Sequence, residues 1–229
     1  TFLPTAKKDQ RTILVDAGAN VDCKAVKLFQ FGIMGHAYAQ HILGKESPKI
    51  GLLSIGEEDH KGNELSKEAF QLFNQSGLNF IGNVEAKEVF RGTADVLVCD
   101  GFTGNIALKI GEGLAEMFID TIKAAFTRNL FSKMTYFFMK KHFQELRTKI
   151  DYSEYGGAPL LGINGICIIG HGRSSPKAIK NAIILAASLV EKDLNGYLSQ
   201  EITSHLSLQS LQRKKTAFLS WIRGEKENL

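Results

Sequence analysis

Short apolar runs recur along the chain, and each ends in glycine and polar residues that lead into a helical pattern. Runs of this length with little alternation are typical of strands that are buried on both faces of a sheet. Alternation of such strands with helices predicts an α/β fold of three layers, built on an open and mostly parallel sheet. The runs are Thr12–Asp16, Lys49–Ile55, Asn79–Ile81, Val96–Cys99 and Ile166–Ile169.

The helical patterns between these runs carry their own start and stop signals. The first helix is predicted to begin after Asp22, which suits a cap, and to end at Gly44. It contains Gly32 and Gly35, which a helix accommodates where another helix approaches closely. The last helix of the core is predicted over Pro176–Glu191, because proline is favoured in the first turn.

The stretch 96–109 organises the predicted sheet. Its apolar run breaks at Gly101 and again at Gly104, and from residue 105 onward it has a helical pattern. A strand, a glycine turn and a helix start leave backbone N–H groups at the sheet edge, where they can hold an anion. The other interpretation is a simple helix cap, which this stretch taken alone favours. The candidate capping residues are Asp100, Thr103 and Asn105.

Every predicted strand ends in a polar corner that carries glycine. In open α/β sheets, ligands bind beyond the carboxyl ends of the strands. Several such corners on one edge indicate a ligand site more strongly than any one of them. The corners are Ala17–Asn20, Gly56–Asn63, Gly82–Asn83, Asp100–Asn105 and Gly170–Ser175.

Composition excludes several classes of function. Hydrophobic content of 44% and charged content of 23% are ordinary for a globular protein, and a net charge of +4 is too small to indicate nucleic acid. The chain has no G-x-G-x-x-G after a strand and no phosphate-loop lysine motif, so no nucleotide cofactor is indicated. Cys23, Cys99 and Cys167 have no metal-ligand spacing, which predicts free thiols and no metal site. Without a secretory signal or a bilayer-length apolar run, we expect a cytoplasmic protein, with membrane-surface contact left open.

The chain is predicted to form an α/β core over residues 1–195 and a helical tail over 196–229, with a helical insertion at about 112–150. Aromatic and basic residues alternate in the insertion, which suits an anionic membrane surface or an acidic protein partner. The other interpretation is a hairpin that packs against a twin subunit, and both stay open. The basic residues are Lys123, Arg128, Lys133, Lys140, Lys141, Arg147 and Lys149.

Several motifs appear together in a characteristic order over roughly residues 1–195. They are Asp16–Asn20, Gly51–Glu58, Lys61–Glu64, Asn79–Glu85, Asp100–Asn105, Tyr155–Gly162 and Gly170–Ser175. Their order and spacing resemble the PlsX family of bacterial phosphate acyltransferases, which act in phospholipid synthesis. The match is specific because several independent motifs agree.

The resemblance implies transfer of a fatty acyl group from acyl carrier protein to inorganic phosphate, giving acyl phosphate. It also implies a homodimer attached peripherally to the membrane, and a fold related to phosphotransacetylase and isocitrate dehydrogenase. Family members carry a glycine-rich amino-terminal segment before these motifs, so the chain opens where the family is already mid-domain. No cofactor is implied.

Phosphate is itself a nucleophile near neutral pH, so the reaction needs no acyl-enzyme intermediate. The enzyme must desolvate phosphate, aim one oxygen at the thioester and stabilise the oxyanion. The candidate catalytic residues are Lys61 to neutralise phosphate, Asn105 to orient it, and His171 to donate to the oxyanion or protonate the departing thiolate. Backbone N–H groups of residues 101–105 and 172–174 are expected to hold phosphate. The candidate binding residues are Asn20, Gly62, Asn63, Asn83, Asp100, Gly101, Thr103, Gly104, Gly172 and Ser174.

Each candidate also has a structural alternative. Lys61 can be a solvated loop residue, Asn20 and Asn83 can be turn residues, and His171 can be a structural histidine. At the level of function, the alternatives are a phosphotransacetylase-like enzyme that acts on acyl-coenzyme A and a non-catalytic membrane scaffold. The acyl chain needs an apolar groove, which we expect the phenylalanine-rich insertion to supply while its positive face docks the acidic carrier protein.

Overall fold

The computed structural model describes residues 1–7, 10–127, 134, 136, 139 and 156–205. None of the helices within these ranges combines the length and the apolar composition that crossing a bilayer requires. The strands are β1 (Phe2–Pro4), β2 (Arg11–Val15), β3 (Ile50–Ser54), β4 (Phe80–Glu85), β5 (Val96–Val98), β6 (Ala158–Pro159) and β7 (Ile168–Ile169). The helices are α1 (Ala25–His41), α2 (Glu64–Asn74), α3 (Gly101–Thr127) and α4 (Pro176–Glu191), with a 3₁₀ turn at Ala86–Arg91 and a further helical stretch at 194–205.

The main sheet has the strand order β1-β2-β5-β3-β4. β2, β5, β3 and β4 are parallel, and β1 pairs antiparallel with β2 at the edge, where Phe2 lies opposite Ile13. The carboxyl ends of the parallel strands therefore meet at one edge of the sheet. This arrangement confirms the predicted α/β class with a mostly parallel sheet.

The larger core lies between the sheet and α1 with α2. Leu28, Phe29 and Ile33 of α1 pack in one buried cluster with the strands and with Phe73 of α2. The glycines of α1 permit this packing, because a Cβ at Gly32 would overlap the Phe73 ring and one at Gly35 would overlap the Val96 side chain. The close approach predicted from these glycines is confirmed, with a strand as well as a helix.

The opposite face of the sheet carries a smaller core. Leu14, Val84 and Leu97 pack there with Val89 of the 3₁₀ turn, and Leu108 of α3 lies against them. Helical elements therefore cover both faces of the sheet, as the three-layer prediction requires. Residues 194–205 add a cover over α1, where the Tyr197 ring stacks on His41 with centroids 4.2 Å apart.

Several predicted elements are placed differently. The run 166–169 forms only the short β7, which pairs antiparallel with β6 in a separate two-stranded sheet rather than as a fifth parallel strand. Asn83 lies inside β4 opposite Leu52 and not in a corner after it. The N-cap position of α1 is Lys24 and not Asp22, whereas Pro176–Glu191 is helical as predicted. Most of the insertion beyond residue 127, and the tail beyond residue 205, lie outside the described residues.

Candidate active site

The loop after β2 is built around the carboxylate of Asp16. Its Oδ1 accepts hydrogen bonds from the backbone N–H groups of Gly18 at 2.8 Å and Ala19 at 2.9 Å. Its Oδ2 accepts from the backbone of Asn20 at 2.7 Å and from the Asn20 side-chain Nδ2 at 2.8 Å. Burial of Asp16 opposes ionisation, but the hydrogen bonds from Ala19, Asn20 and Gly18 outweigh it, so the pKa lies below the ordinary value. The loop is therefore folded around a charged group that faces inward.

This loop docks directly on the first turn of α3. The Gly101 N–H donates to the Asn20 carbonyl at 2.7 Å. A Cβ at Gly104 would overlap the Asp16 carbonyl oxygen and come within 2.9 Å of the Cys99 sulfur. The two glycines of this turn are therefore required by close contact between α3 and the loop.

The first turn of α3 is capped by the protein itself. Asp100 Oδ1 accepts from the Thr103 N–H at 2.8 Å, and Asp100 Oδ2 accepts from the Thr103 hydroxyl at 2.7 Å. The Gly104 N–H donates to the Asp100 carbonyl at 2.9 Å. With Gly101 donating to Asn20, these N–H groups are occupied, so the expected anion cradle is not formed by them. The capping interpretation describes this turn.

Two asparagines of the candidate set meet beside the loop. A Cβ at Gly18 would lie 3.6 Å from the Asn105 Cβ and 3.7 Å from its Oδ1, so the exposed Asn105 side chain faces Gly18. Asn105 and Asn20 both line a cavity of about 530 Å³. No described residue forms a hydrogen bond with the Asn105 amide, which is consequently available to a ligand. The structure therefore brings Asn20 and Asn105 together.

A second corner lies between β3 and α2 and carries Lys61. The Lys61 N–H donates to the Glu58 carbonyl at 2.9 Å, which closes a tight turn. Asn63 is the cap of α2, because its Oδ1 accepts from the Ser66 N–H at 2.9 Å. Gly62 has φ +109°, and a Cβ there would overlap the Ser66 hydroxyl oxygen. The ammonium of the half-buried Lys61 has no ion-pair partner within the described ranges, so this turn presents a cation at the sheet edge.

Asn83 fastens that corner to β4. It is 7% exposed, and its Nδ2 donates to the Glu58 carbonyl at 2.7 Å. Its Oδ1 and the Ser54 hydroxyl oxygen are buried without a hydrogen-bond partner in the part of the chain that the structure describes. Asn83 therefore holds the Lys61 turn through the Glu58 carbonyl, and its side-chain oxygen receives no hydrogen bond from the described residues.

The third corner, after β7, is organised around His171. The Arg173 N–H donates to His171 Nδ1 at 3.1 Å, and the Ser174 N–H donates to the His171 carbonyl at 2.9 Å. Ser175 caps α4 by accepting from the Ala178 N–H at 3.2 Å. A Cβ at Gly170 would lie 3.4 Å from the Ser174 hydroxyl oxygen, so Ser174 folds back over this corner, whereas a Cβ at Gly172 would meet no atom within 4 Å. Two of the N–H groups expected to hold phosphate are therefore engaged within the corner.

The Asn20 and Asp100 turns are joined by the hydrogen bond from Gly101 to Asn20, and the sheet edge relates both to the Lys61 turn. The turns that carry Asn20, Asp100 and Lys61 follow the parallel strands β2, β5 and β3 and share one edge. The β6–β7 hairpin reaches the same cavity through Leu160 and Ile169, but His171 does not line it. Asp16 was not among the site residues predicted from the sequence. An aspartate followed by glycine and asparagine is nevertheless a known signal for a turn in which the carboxylate accepts hydrogen bonds from the following backbone.

Cys99 and Cys23 do not suit covalent catalysis. Cys99 is 3% exposed, and burial, with the charges of Asp100 and Asp16, raises the pKa of its thiol. Burial also raises the pKa of Cys23. Because the thiolate is the nucleophilic form, neither thiol is activated.

Comparison with known proteins agrees with the motifs. Residues 1–196 match the family model described as "Fatty acid synthesis protein". The chain belongs to this family. It is 56% identical over 190 residues to a protein named phosphate acyltransferase from Thermodesulfovibrio yellowstonii, an alignment that covers 83% of this chain and 55% of that protein. The resemblance to the PlsX family is confirmed.

Other relatives carry the same name. A phosphate acyltransferase of Campylobacter fetus is 49% identical over 203 residues, which cover 89% of this chain and 61% of that protein. The chain therefore spans a little over half the length of these relatives. Among solved structures, EutD phosphotransacetylase from Staphylococcus aureus is similar with a TM-score of 0.38 and 21% identity, over 50% of this chain and 42% of that one.

Proposed function

We propose that this protein, at the full length of its relatives, transfers a fatty acyl group from acyl carrier protein to inorganic phosphate and releases acyl phosphate. The observation that carries the proposal is the shared sheet edge, where Lys61 and the neutral amides of Asn20 and Asn105 stand on neighbouring turns, and the two asparagines line a cavity. A cation and uncharged donors suit phosphate, and the cavity suits the other substrate. The names of the relatives support the same reaction class.

The transfer is direct in this proposal. A phosphate oxygen attacks the thioester carbonyl carbon, the carbonyl oxygen becomes the oxyanion of a tetrahedral intermediate, and the C–S bond then breaks. The carrier leaves as a thiolate and takes up a proton. Lys61 offsets the charge of phosphate, Asn105 orients it, and His171 is the proposed proton donor to the thiolate. The raised thiol pKa values of Cys99 and Cys23 support a route without an acyl-cysteine.

The test is an assay for acyl phosphate. The full-length protein is incubated with an acyl carrier protein thioester and phosphate, and hydroxylamine traps the product as a hydroxamate. Lys61→Met and Asn105→Ala are each expected to lower kcat/KM roughly 100-fold. Lys67→Met is the matched control, since Lys67 pairs with Glu64 on the exposed surface of α2. Absence of phosphate-dependent hydroxamate, or faster turnover of acyl-coenzyme A than of the carrier thioester, would refute the assignment.

Dimer formation is the second part of the proposal. α3 presents a row of apolar side chains at four-residue spacing, each at least 43% exposed, and rows of this kind mark interaction surfaces. We assign this row to a twin subunit, and Ile110→Glu is expected to yield monomers in analytical ultracentrifugation. Glu116→Lys, a charge change away from the row, is expected to leave the dimer intact. The row is Phe102, Ile106, Ile110, Leu114 and Phe118.

Carrier and membrane binding complete the proposal. Both are assigned to the basic insertion, and the protein is proposed to be cytoplasmic and peripherally attached to the membrane. Lys140→Glu with Lys141→Glu, at positions outside the described residues, should weaken binding to acyl carrier protein or to anionic liposomes. Unchanged binding to both would remove this assignment.

A further inference from the structure

The cavity beside the Asp16 loop is a defined chamber in the described part of the chain. Its volume is about 530 Å³, within the range of sites for small molecules. One wall is β2 with the edge strand β1, a second is α1, and the third is the β6–β7 hairpin with the residues between its strands. Gly18, Asn20 and Asn105 line its polar end, which we take as the mouth.

The walls of the chamber are apolar. α1 contributes Phe31, Met34 and Tyr38, which share one face of the helix, and the hairpin segment contributes Leu160 and Leu161. Burial raises the pKa of Tyr38 to about 12, so its phenol is uncharged at neutral pH. The carboxylate of Asp16 is the one charged side chain among the lining residues, and it points into its own loop.

The order and direction of β2 and α1 determine which residues lie at each end of the chamber. β2 ends at the sheet edge, so Asp16 lies at the mouth and Ile13 lies deeper. α1 runs back from that edge toward the start of β3, which places Phe31 near the mouth and Tyr38 about 10 Å farther in, at 1.5 Å per residue. Phe2, opposite Ile13, lies against Tyr38 with ring centroids 6.0 Å apart. The lining is therefore polar beside the Asp16 loop and apolar along α1.

We infer that this chamber holds the acyl chain of the thioester, with the carbonyl at the mouth beside Asn20 and Asn105, and that Met34 sets the chain length that fits. The inference rests on the proposed function and gives the acyl group a place other than the insertion. A carbonyl held beside the two asparagines has an apolar path in one direction, along α1. Met34 stands midway along that path, is 7% exposed, and its sulfur would lie 3.1 Å from a Cβ at Gly162 on the facing segment. Met34 therefore lies where α1 contacts the facing segment, and its side chain bounds the pocket at that point.

Narrowing the pocket tests the inference. In the full-length protein, Met34→Phe should shift the preference toward shorter donors in a series of carrier thioesters from octanoyl to palmitoyl. Exclusion of two methylenes should lower kcat/KM for the longest donors roughly fifteenfold, at about fourfold per methylene, with the octanoyl rate retained. Leu160→Phe narrows the same pocket from the facing wall, and it replaces Met34→Phe in this test if Met34→Phe does not fold. Val26→Phe adds the same ring to an exposed position of α1 and should leave the profile unchanged.

Binding of a free fatty acid separates this inference from the proposed function. Dodecanoate should bind the wild-type protein in calorimetry and bind Met34→Phe at least tenfold more weakly, whether or not acyl phosphate is formed. If neither pocket variant changes the chain-length profile or dodecanoate binding, the inference is wrong. The same conclusion follows if both variants only lower the unfolding temperature, because the pocket is then filled by the protein's own residues.

Discussion

Replacement of Asp16 by asparagine is predicted to loosen the loop that joins β2 to α1 and docks on the first turn of α3. The carboxylate accepts four hydrogen bonds, two at each oxygen. Asparagine keeps one acceptor oxygen but turns an NH₂ group either toward the two donors of Asn20 or toward the two amides of Gly18 and Ala19. At least two hydrogen bonds are lost, and the remaining two lose their ionic character.

The size of the effect follows from these contacts. A hydrogen bond to a charged group contributes roughly 1.5–3 kcal/mol and a neutral one roughly 0.5–1.5 kcal/mol. Two bonds lost and two weakened sum to about 5 kcal/mol, which hydration of the partly buried donors reduces to about 3 kcal/mol. For a protein of this size the unfolding temperature should then fall by roughly 6–12 °C.

The pH dependence provides a second measurement. Because the pKa of Asp16 is lowered in the folded state from its ordinary value of 3.8, its stabilisation is fully present above that value and is lost as the pH falls through the folded pKa. The difference between wild-type and Asp16→Asn protein should therefore be constant from about pH 7 to about pH 5 and shrink below about pH 4. The asparagine of the variant does not titrate, so only the wild-type protein should show this loss.

Urea unfolding followed by circular dichroism measures both effects. Asp22→Asn is the matched control, since it removes the same charge from an exposed position six residues away. It is expected to change the free energy of unfolding by less than about 0.5 kcal/mol. If Asp16→Asn lowers the free energy of unfolding by no more than this control does, or if that loss does not become smaller at low pH, the carboxylate does not organise the loop.

Two further predictions concern the same junction. In urea unfolding, Gly104→Ala should destabilise the protein by about 3 kcal/mol or more, because the added Cβ overlaps the Asp16 carbonyl. Gly113→Ala in the same helix should stabilise the protein by up to about 1 kcal/mol, because its Cβ meets no atom within 4 Å. In the native protein a maleimide should label Cys23 roughly a hundredfold faster than the buried Cys99, as read by mass spectrometry of timed samples; equal rates would show that the loop opens.

Local sequence patterns correctly predicted the helices and strands that carry a start signal or an apolar run of their own. Pro176–Glu191 has its proline start, and the run at Val96–Val98 is a central strand. The pairing of β7 was not predictable in this way, because two residues carry no signal that separates a fifth parallel strand from a hairpin with β6. β1 was missed for a similar reason: an edge strand of three residues that ends in proline has the composition of a connector.

The turns that form the candidate site were predictable from the sequence, but the contacts between those turns were not. A strand, a glycine turn and a helix start are the same in sequence whether the N–H groups bind an anion or a protein acceptor. What decides is the Asn20 carbonyl, which reaches Gly101 from a position eighty-one residues earlier. Asn83 shows the same limit, since its position inside β4 follows from its register with Leu52.

Because the Asn20 carbonyl accepts a hydrogen bond from the Gly101 N–H, the position of the loop also sets the direction of α3. The helix is 27 residues long, or about 40 Å, and its first turn is fixed to the loop at Gly101 and Gly104. A tilt of about 5° at that joint displaces the far end by about 3.5 Å over this length. A ligand that tilted this joint by that amount would therefore displace Thr127 by about 3.5 Å.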